Sequence, residues 1–243
     1  MIFRVDYSPL AAFYHLQYQH YTDDLEFYTR LARDYGGPVL ELGAGTGRVA
    51  RALARQGVEV WALEPAQQMR KLGARHTQGL GVKWLAGDMR QLKLKRQFPL
   101  IIAPFNALMH LYTLDEQDAT LEGVQAHLEA GGRFAFDVYN PAHIGLQGVL
   151  QHEGSYGQTE VFLHQEHHPT AQALLTHYLV DTLTPTGNLK RQRHTLTQRY
   201  YTRYELERWL RAFAFEYRLF GGFHKEPLTP ESAVFVFEAW HRR

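Results

Sequence analysis

From residue 39 the chain reads Val-Leu-Glu-Leu-Gly-Ala-Gly-Thr-Gly, a buried-strand pattern that opens into Gly43, Gly45 and Gly47 and then into a helical stretch through Arg48–Arg55. A glycine turn between strand and helix lets a ligand approach the bare backbone amides and the helix N-terminus. The spacing is G-x-G-x-G, whereas the dinucleotide fingerprint is G-x-G-x-x-G, so pyrophosphate binding loses ground. Glu41, two positions before the first glycine, suits a ligand carrying an ammonium group and suits a pyrophosphate poorly. Glu64 closes a second strand pattern 17 residues after Gly47, where a carboxylate can accept both hydroxyls of a ribose. Gly87-Asp88-Met89 follows a third strand, and that carboxylate can accept from an exocyclic adenine amine. Each acid alone reads as a solvated loop carboxylate; their succession at three strand ends makes them candidates.

Further along, Asn106 follows a fourth strand, where it is either a turn residue or a neighbour of the bound ligand. His110 stands four residues later and is the candidate side-chain base, set against the plainer reading of a histidine packed at a cleft rim. Tyr14, Tyr18 and Tyr21 are spaced to form an aromatic lid that attracts a cation and excludes water, or an amphipathic face that only packs. His164, His177 and His194 fall one per strand in a later β-rich stretch; the turns near residues 169 and 186 do not bring all three together, and no metal site is expected. The basic run Lys190-Arg191-Gln-Arg193-His194 reads as a solvated edge strand as readily as an RNA contact.

These residues need a scaffold, and hydrophobic periodicity supplies it. Leu25, Tyr28, Ala32 and Tyr35 share a helical face stopped by Gly36-Gly37-Pro38. Strands are expected at 39–42, 58–63, 82–85 and 100–103, the last without polar alternation, as befits a strand covered on both faces. A capping box, Thr113 with Glu116, opens a helix carrying Leu121, Val124 and Leu128 that Gly131-Gly132 would end, and a fifth strand follows over 133–139. Alternation of this kind means right-handed crossovers and a parallel, doubly wound sheet. The stretches 159–168, 170–183 and 188–201 read instead as an antiparallel meander inserted after the fifth strand. A second capping box, Thr202 with Glu205, begins a helix whose apolar face is Leu206, Trp209, Leu210 and Phe213, and 216–220 with 232–240 form a closing antiparallel pair. The expected architecture is therefore an α/β, Rossmann-like sheet of seven mostly parallel strands. Its core would comprise residues 1–140 and 202–243, with 141–201 as an inserted β subdomain that roofs an acceptor pocket or forms a dimer contact.

Composition sets the outer limits. The 243 residues are 45% apolar and 21% charged, enough for one sizeable core. With 26 Lys+Arg against 25 Asp+Glu the formal charge is +1, which gives no support to a nucleic-acid or membrane partner. There is no cysteine, which removes disulfides, thiolate nucleophiles and zinc-thiolate sites. The longest apolar run, near Leu100–Phe105, falls far short of a membrane span, and a cytoplasmic location is expected.

In order and placement the pattern resembles the class I S-adenosylmethionine-dependent methyltransferases. Glu41-Leu-Gly-Ala-Gly-Thr-Gly47 is similar to their first motif, Leu63-Glu64-Pro65 to the second-strand acidic site, Ala86-Gly87-Asp88-Met89 to the adenine site, and Ala103-Pro104-Phe105-Asn106 to the stretch after the fourth strand. The resemblance covers most of residues 8–140. It implies S-adenosylmethionine as cofactor and a cofactor-binding set of Glu41, Gly43, Ala44, Gly45, Gly47, Glu64, Pro65, Met69, Asp88, Met89 and Phe105, with Glu41 and Gly43 around the methionine moiety. Tyr139 joins Tyr14, Tyr18 and Tyr21 on the substrate side. The Tyr-rich lead and the inserted β segment are similar in layout to the amino-sugar N-methyltransferases. The expected reaction is in-line methyl transfer to a nitrogen or oxygen of a small molecule, with a homodimer as one arrangement the inserted segment could serve. Rival readings are a cofactor-binding regulatory protein without catalysis, an NAD-linked oxidoreductase and an RNA methyltransferase. Against base-amine methylation, the segment after the fourth strand is Ala-Pro-Phe-Asn and lacks an Asn/Asp-Pro-Pro-aromatic clamp.

Overall fold

In the computed structural model, which describes residues 7–145 and 148–241, helix and strand alternate through the first half of the chain. The elements are α1 (Ala11–Tyr18), α2 (Leu25–Tyr35), β1 (Val39–Leu42), α3 (Arg48–Arg55), β2 (Val60–Glu64), α4 (Gln67–His76), β3 (Val82–Ala86), β4 (Phe98–Ala103), α5 (Leu114–His127) and β5 (Leu128–Tyr139). β1 pairs in parallel with β2 and β4, β2 with β3, and β4 with β5. After an insertion, α6 (Arg203–Ala212) leads to β10 (Phe215–Phe220) and β11 (Val234–His241), which complete a seven-stranded sheet of order β10-β11-β5-β4-β1-β2-β3. β11 lies antiparallel to both β5 and β10. The expected α/β sheet with its closing hairpin is present.

The unbroken apolar strands are explained by burial on both faces. Leu40, Leu42, Ile101, Phe134 and Phe136 point to the side of α5 and α6, with Leu121, Val124 and Leu206. Their neighbours Val39, Leu100, Ile102 and Ala135 pack beneath α2 and α3 against Phe27, Leu31 and Leu53. By the same alternation Glu41 and Asp137 share the second face. No helix among the described residues is long and apolar enough to cross a membrane.

Two elements depart from expectation. Helix α5 ends at His127, earlier than Gly131-Gly132, and the two glycines lie inside β5, where Gly131 has φ +82°. The pairing of Phe98 with Leu128, followed by a register shift, draws the chain into the sheet early and makes the glycines a kink within the strand. The insertion holds four strands where three are expected: β6 (Gln151–Tyr156), β7 (Thr159–His168), β8 (Ala173–Leu183) and β9 (Leu189–Arg199), in that order in one antiparallel sheet. β6, Gln-His-Glu-Gly-Ser-Tyr, is an edge strand whose polar composition carries no strand signal. Leu10 and Phe13 pack on Val161, Leu163, Tyr178 and Val180, so the N-terminal segment through α1 is fastened to the inserted sheet.

Candidate functional site

Open parallel sheets gather ligands where adjacent strands send their chains to opposite faces. In this sheet that point lies between β1, followed by α3, and β4, followed by α5. A cavity of about 330 Å³ opens there, within the range of small-molecule sites. Its floor is the glycine turn, with Glu41, Gly43, Ala44 and Gly45; its sides carry Glu64, Pro65, Met69, Met89, Phe105 and Asn106.

Glu41 is 2% exposed, and its Oε2 has no hydrogen-bond partner. Burial pushes its carboxyl up to about 8, against an opposing pull from the Arg48 guanidinium. A buried acid held near its neutral form in a ligand-sized cavity is short of a cation. Gly43 beside it has φ +69°, and a Cβ there would stand 3.2 Å from the Ala107 Cβ and 3.3 Å from the Met89 Cε. Any side chain would fill the cradle. Glu64 instead braces the turn: Oε2 accepts from the Gly45 amide at 2.9 Å and Oε1 from the Ala66 amide at 2.8 Å. Burial raises its carboxyl while these bonds oppose the rise.

The wall after β4 is built on Asp137, a buried acid near the C-terminal end of β5. Its carboxylate accepts from the Tyr28 hydroxyl at 2.6 Å and from the amides of Phe105 at 2.8 Å and Asn106 at 3.3 Å. Phe105 and Asn106 both have positive φ, 54° and 64°, a conformation these residues keep only when surroundings impose it. Burial, with Asp24 nearby, pushes the Asp137 carboxyl up to about 7. Asn106 is fixed in turn, since its Oδ1 accepts from the Tyr139 amide at 2.6 Å. Arg48, clamped on both Asp24 oxygens, lies over the rings of Tyr21 and Phe105.

Aromatic rings close the cavity. Tyr14 packs on Tyr18 with centroids 4.9 Å apart, Tyr18 lies as close to Phe105, and its hydroxyl is 3.3 Å from that of Tyr178 on β8. Burial raises the phenols of Tyr14, Tyr18 and Tyr178, so all stay neutral. Opposite the glycine turn, Gln165, Leu174, Thr176, Leu196 and Gln198 of the inserted sheet line the same space. His110 sits between: its Nε2 is 2.7 Å from the Tyr7 hydroxyl and its Nδ1 is 3.4 Å from that of Tyr112. Tyr112 gives its proton to the Thr197 carbonyl, so its oxygen accepts from His110 Nδ1 and leaves Nε2 to accept from Tyr7. Burial, with Arg90 adding to it, lowers the imidazole to about 4. A neutral ring with its lone pair engaged is a poor base and a good spacer.

Of the sequence-based candidates, Tyr14, Tyr18, Tyr139, Asn106 and His110 therefore line the cavity along with nine of the cofactor set, and three candidates do not. Gly47 lies behind the turn, where the Trp84 ring occupies the place of a Cβ at 2.8 Å. Tyr21 backs Phe105 at 5.0 Å without reaching the cavity. Asp88 is drawn aside by Arg90, whose amide and guanidinium both bond its carboxylate, and Arg90 takes the place on the wall. Sequence reasoning missed Tyr7, Arg48, Asp137 and the inserted sheet's polar residues. For Asp137 a signal existed, a lone acid in the apolar strand Phe-Ala-Phe-Asp-Val-Tyr. The three histidines of the insertion do not converge, as expected, but two do: His164 and His177 face each other across β7 and β8, while His194 stacks on Phe13.

Comparison with known proteins agrees with this geometry. Residues 39–132 match the family described as "Methyltransferase domain". The cypemycin N-terminal methyltransferase of a Streptomyces species is 29% identical over 113 residues, 46% of either chain, so this chain spans about half the length of the curated relatives it matches. The structure of the CcbJ methyltransferase from Streptomyces caelestis is 26% identical with a TM-score of 0.80, covering 91% of this chain and 90% of that one. S-adenosylmethionine-bound CalS10, an amino pentose methyltransferase from Micromonospora echinaspora, shares the fold at 21% identity, with a TM-score of 0.76 over 98% of this chain and 99% of that one. Residues 39–132, from β1 into β5, thus match a methyltransferase domain, and the fold built around them is that of solved methyltransferases.

Proposed function

We propose that the chain transfers the methyl group of S-adenosylmethionine to an amine of a small polar molecule held between the glycine turn and the inserted sheet. The observation that carries this reading is the unpartnered, buried Glu41 oxygen beside a glycine whose missing Cβ leaves room for a ligand. A carboxylate there answers the ammonium of the cofactor's amino-acid tail, and the bracing of Glu64 sets its backbone partners for the sugar edge. Asp88, through its grip on Arg90, positions the wall beside the base. When bound, the cofactor supplies a methyl group already activated on a sulfonium, so the protein's task is alignment and exclusion of water. The Tyr14, Tyr18, Phe105 and Tyr178 rings perform the exclusion.

The acceptor class rests on two supports. The cypemycin enzyme acts at an N-terminus and CalS10 on an amino pentose, and the wall of the inserted sheet offers amide and hydroxyl groups, Gln165, Thr176 and Gln198, suited to hydroxylated substrates. Turnover of labelled donor against a panel of amino sugars and N-terminal peptides tests this. Methyl transfer to at least one amine supports it; retention of the donor unchanged across the panel, with tight binding, would make the protein a cofactor binder without catalysis. Steeply salt-dependent RNA binding with RNA methylation would replace the small-molecule acceptor.

Two substitutions separate the walls. Gln198→Ala is expected to raise the acceptor KM several-fold and leave S-adenosylhomocysteine affinity as it is, read by steady-state kinetics beside calorimetry. His110→Ala is expected to lower kcat by about tenfold or less, below the 10²–10⁴-fold of a general base, and kcat should show no imidazole limb between pH 6 and 8. A hundredfold loss with such a limb would restore His110 as the base.

A further inference from the structure

We propose that His164, Glu166 and His177 form a binding site for a borderline divalent cation, zinc foremost, on the face of the inserted sheet turned away from the cavity. Gln165 and Thr176 look into the cavity, so by strand alternation His164, Glu166 and His177 stand on the other side. His164 and His177 are directly opposed partners of β7 and β8, with rings stacked at 4.6 Å. Glu166 Oε1 lies 3.2 Å from His177 Nε2 and 3.8 Å from His164 Nε2. Ligand atoms of all three residues fall within 4.8 Å of one another. Zinc bonds of about 2.0–2.2 Å set tetrahedral ligands roughly 3.4 Å apart, so small side-chain rotations suffice to close the site.

A second observation points to a ligand. His177 is 7% exposed, and its Nε2, although near Glu166, makes no hydrogen bond. Its Nδ1 lies 2.9 Å from Thr195 Oγ1; a cation taken at Nε2 would put the ring proton on Nδ1, where Thr195 accepts it, as outer partners of metal-bound histidines do. The exposed Arg193 guanidinium, which can only donate, approaches the same Nδ1 at 3.4 Å and must swing off it when a cation binds Nε2, which moderates the affinity. Two imidazoles and one carboxylate select zinc and its transition-metal neighbours; magnesium and calcium require oxygen ligands throughout. Three protein ligands leave a position for water, and the ion would clip β7 to β8 behind the wall that carries Gln165 and Thr176.

The full chain, stripped with chelator, is titrated with zinc chloride alone by calorimetry. One equivalent is expected to bind, with affinity lowered at least about tenfold in His164→Gln and in Glu166→Gln and unchanged in His194→Gln on the opposite face. Magnesium chloride should give no binding heat, and the wild-type chain loaded with cobalt should show the visible bands of tetrahedral cobalt that His164→Gln lacks. Absence of zinc binding to the wild-type chain, or equal binding by all three variants, overturns the proposal. S-adenosylhomocysteine affinity in His164→Gln should equal that of the wild type, which keeps failure here distinct from failure of the cavity assignment.

Discussion

Replacing Glu41 by glutamine is expected to weaken S-adenosylhomocysteine binding by about 10- to 150-fold, the equivalent of one charge-assisted hydrogen bond of about 1.5–3 kcal/mol, while making the unliganded protein more stable in alkali. The second half of this expectation comes from the sign of the shift. Burial raises the Glu41 carboxyl from 4.5 to about 8, so the folded chain favours the protonated form. The stability this contributes is complete below the unfolded value near 4.5 and is lost as pH rises through 8. Glutamine imitates the neutral acid at every pH. Thermal melts at pH 9 should therefore place Glu41→Gln above the wild type, and melts at pH 5 should bring the two together. A carboxylate kept for packing alone would not combine lost affinity with gained alkaline stability. If Glu41→Gln binds S-adenosylhomocysteine as well as the wild type, the ammonium partner lies elsewhere.

Asp137→Ala should have the largest effect on folding. The side chain takes three hydrogen bonds, from the Tyr28 hydroxyl and the Phe105 and Asn106 amides, and Tyr28 is fully buried. Removing the acceptor strands these donors, at about 1–3 kcal/mol each where no water replaces it, or on the order of 3–6 kcal/mol together. At roughly 2–4 °C per kcal/mol for a chain of this size, Tm should fall by about 6–24 °C. The two residues with positive φ lose what holds them, so the wall after β4 should relax and cofactor affinity should fall with it. Tyr28→Phe, which removes one bond and leaves the amides served, should lose about 1 kcal/mol and keep the cavity. Denaturant melts of both variants check the ranking; equal, small losses would show that the acid does not organise the loop.

The contrast between these two acids marks where the sequence is readable. Glu41 and the glycine turn are local, strand, acid and glycines lying within a few residues, and Glu64 ends the very next strand, so their spacing announces a site before any fold is known. Asp137 acts through residues about thirty and more than a hundred positions away, and only its polarity among aromatic neighbours distinguishes it. Asp88 reads as an open strand-end acid because nothing in Gly87-Asp88-Met89 discloses that Arg90 folds back on it. Tyr7 meets His110 only because α1 is pinned beneath the inserted sheet, a packing that periodicity cannot specify. Strand β6 is polar throughout and is defined by its partner β7, whereas β1, β4 and β5 announce themselves by apolar runs buried on both faces. For the histidines, the alternation of side chains was legible and the register was not; it is register that sets His164 against His177.

The central claim, that Glu41 exchanges its proton for the cofactor's ammonium, has a direct measurement. S-adenosylhomocysteine is titrated into the protein at pH 7 by calorimetry in buffers of differing ionisation heat, which yields the protons released per ligand bound. With the free carboxyl at about 8, binding should expel close to one proton from the wild type and essentially none from Glu41→Gln. Binding without proton release in the wild type, or release that survives the substitution, would contradict the account.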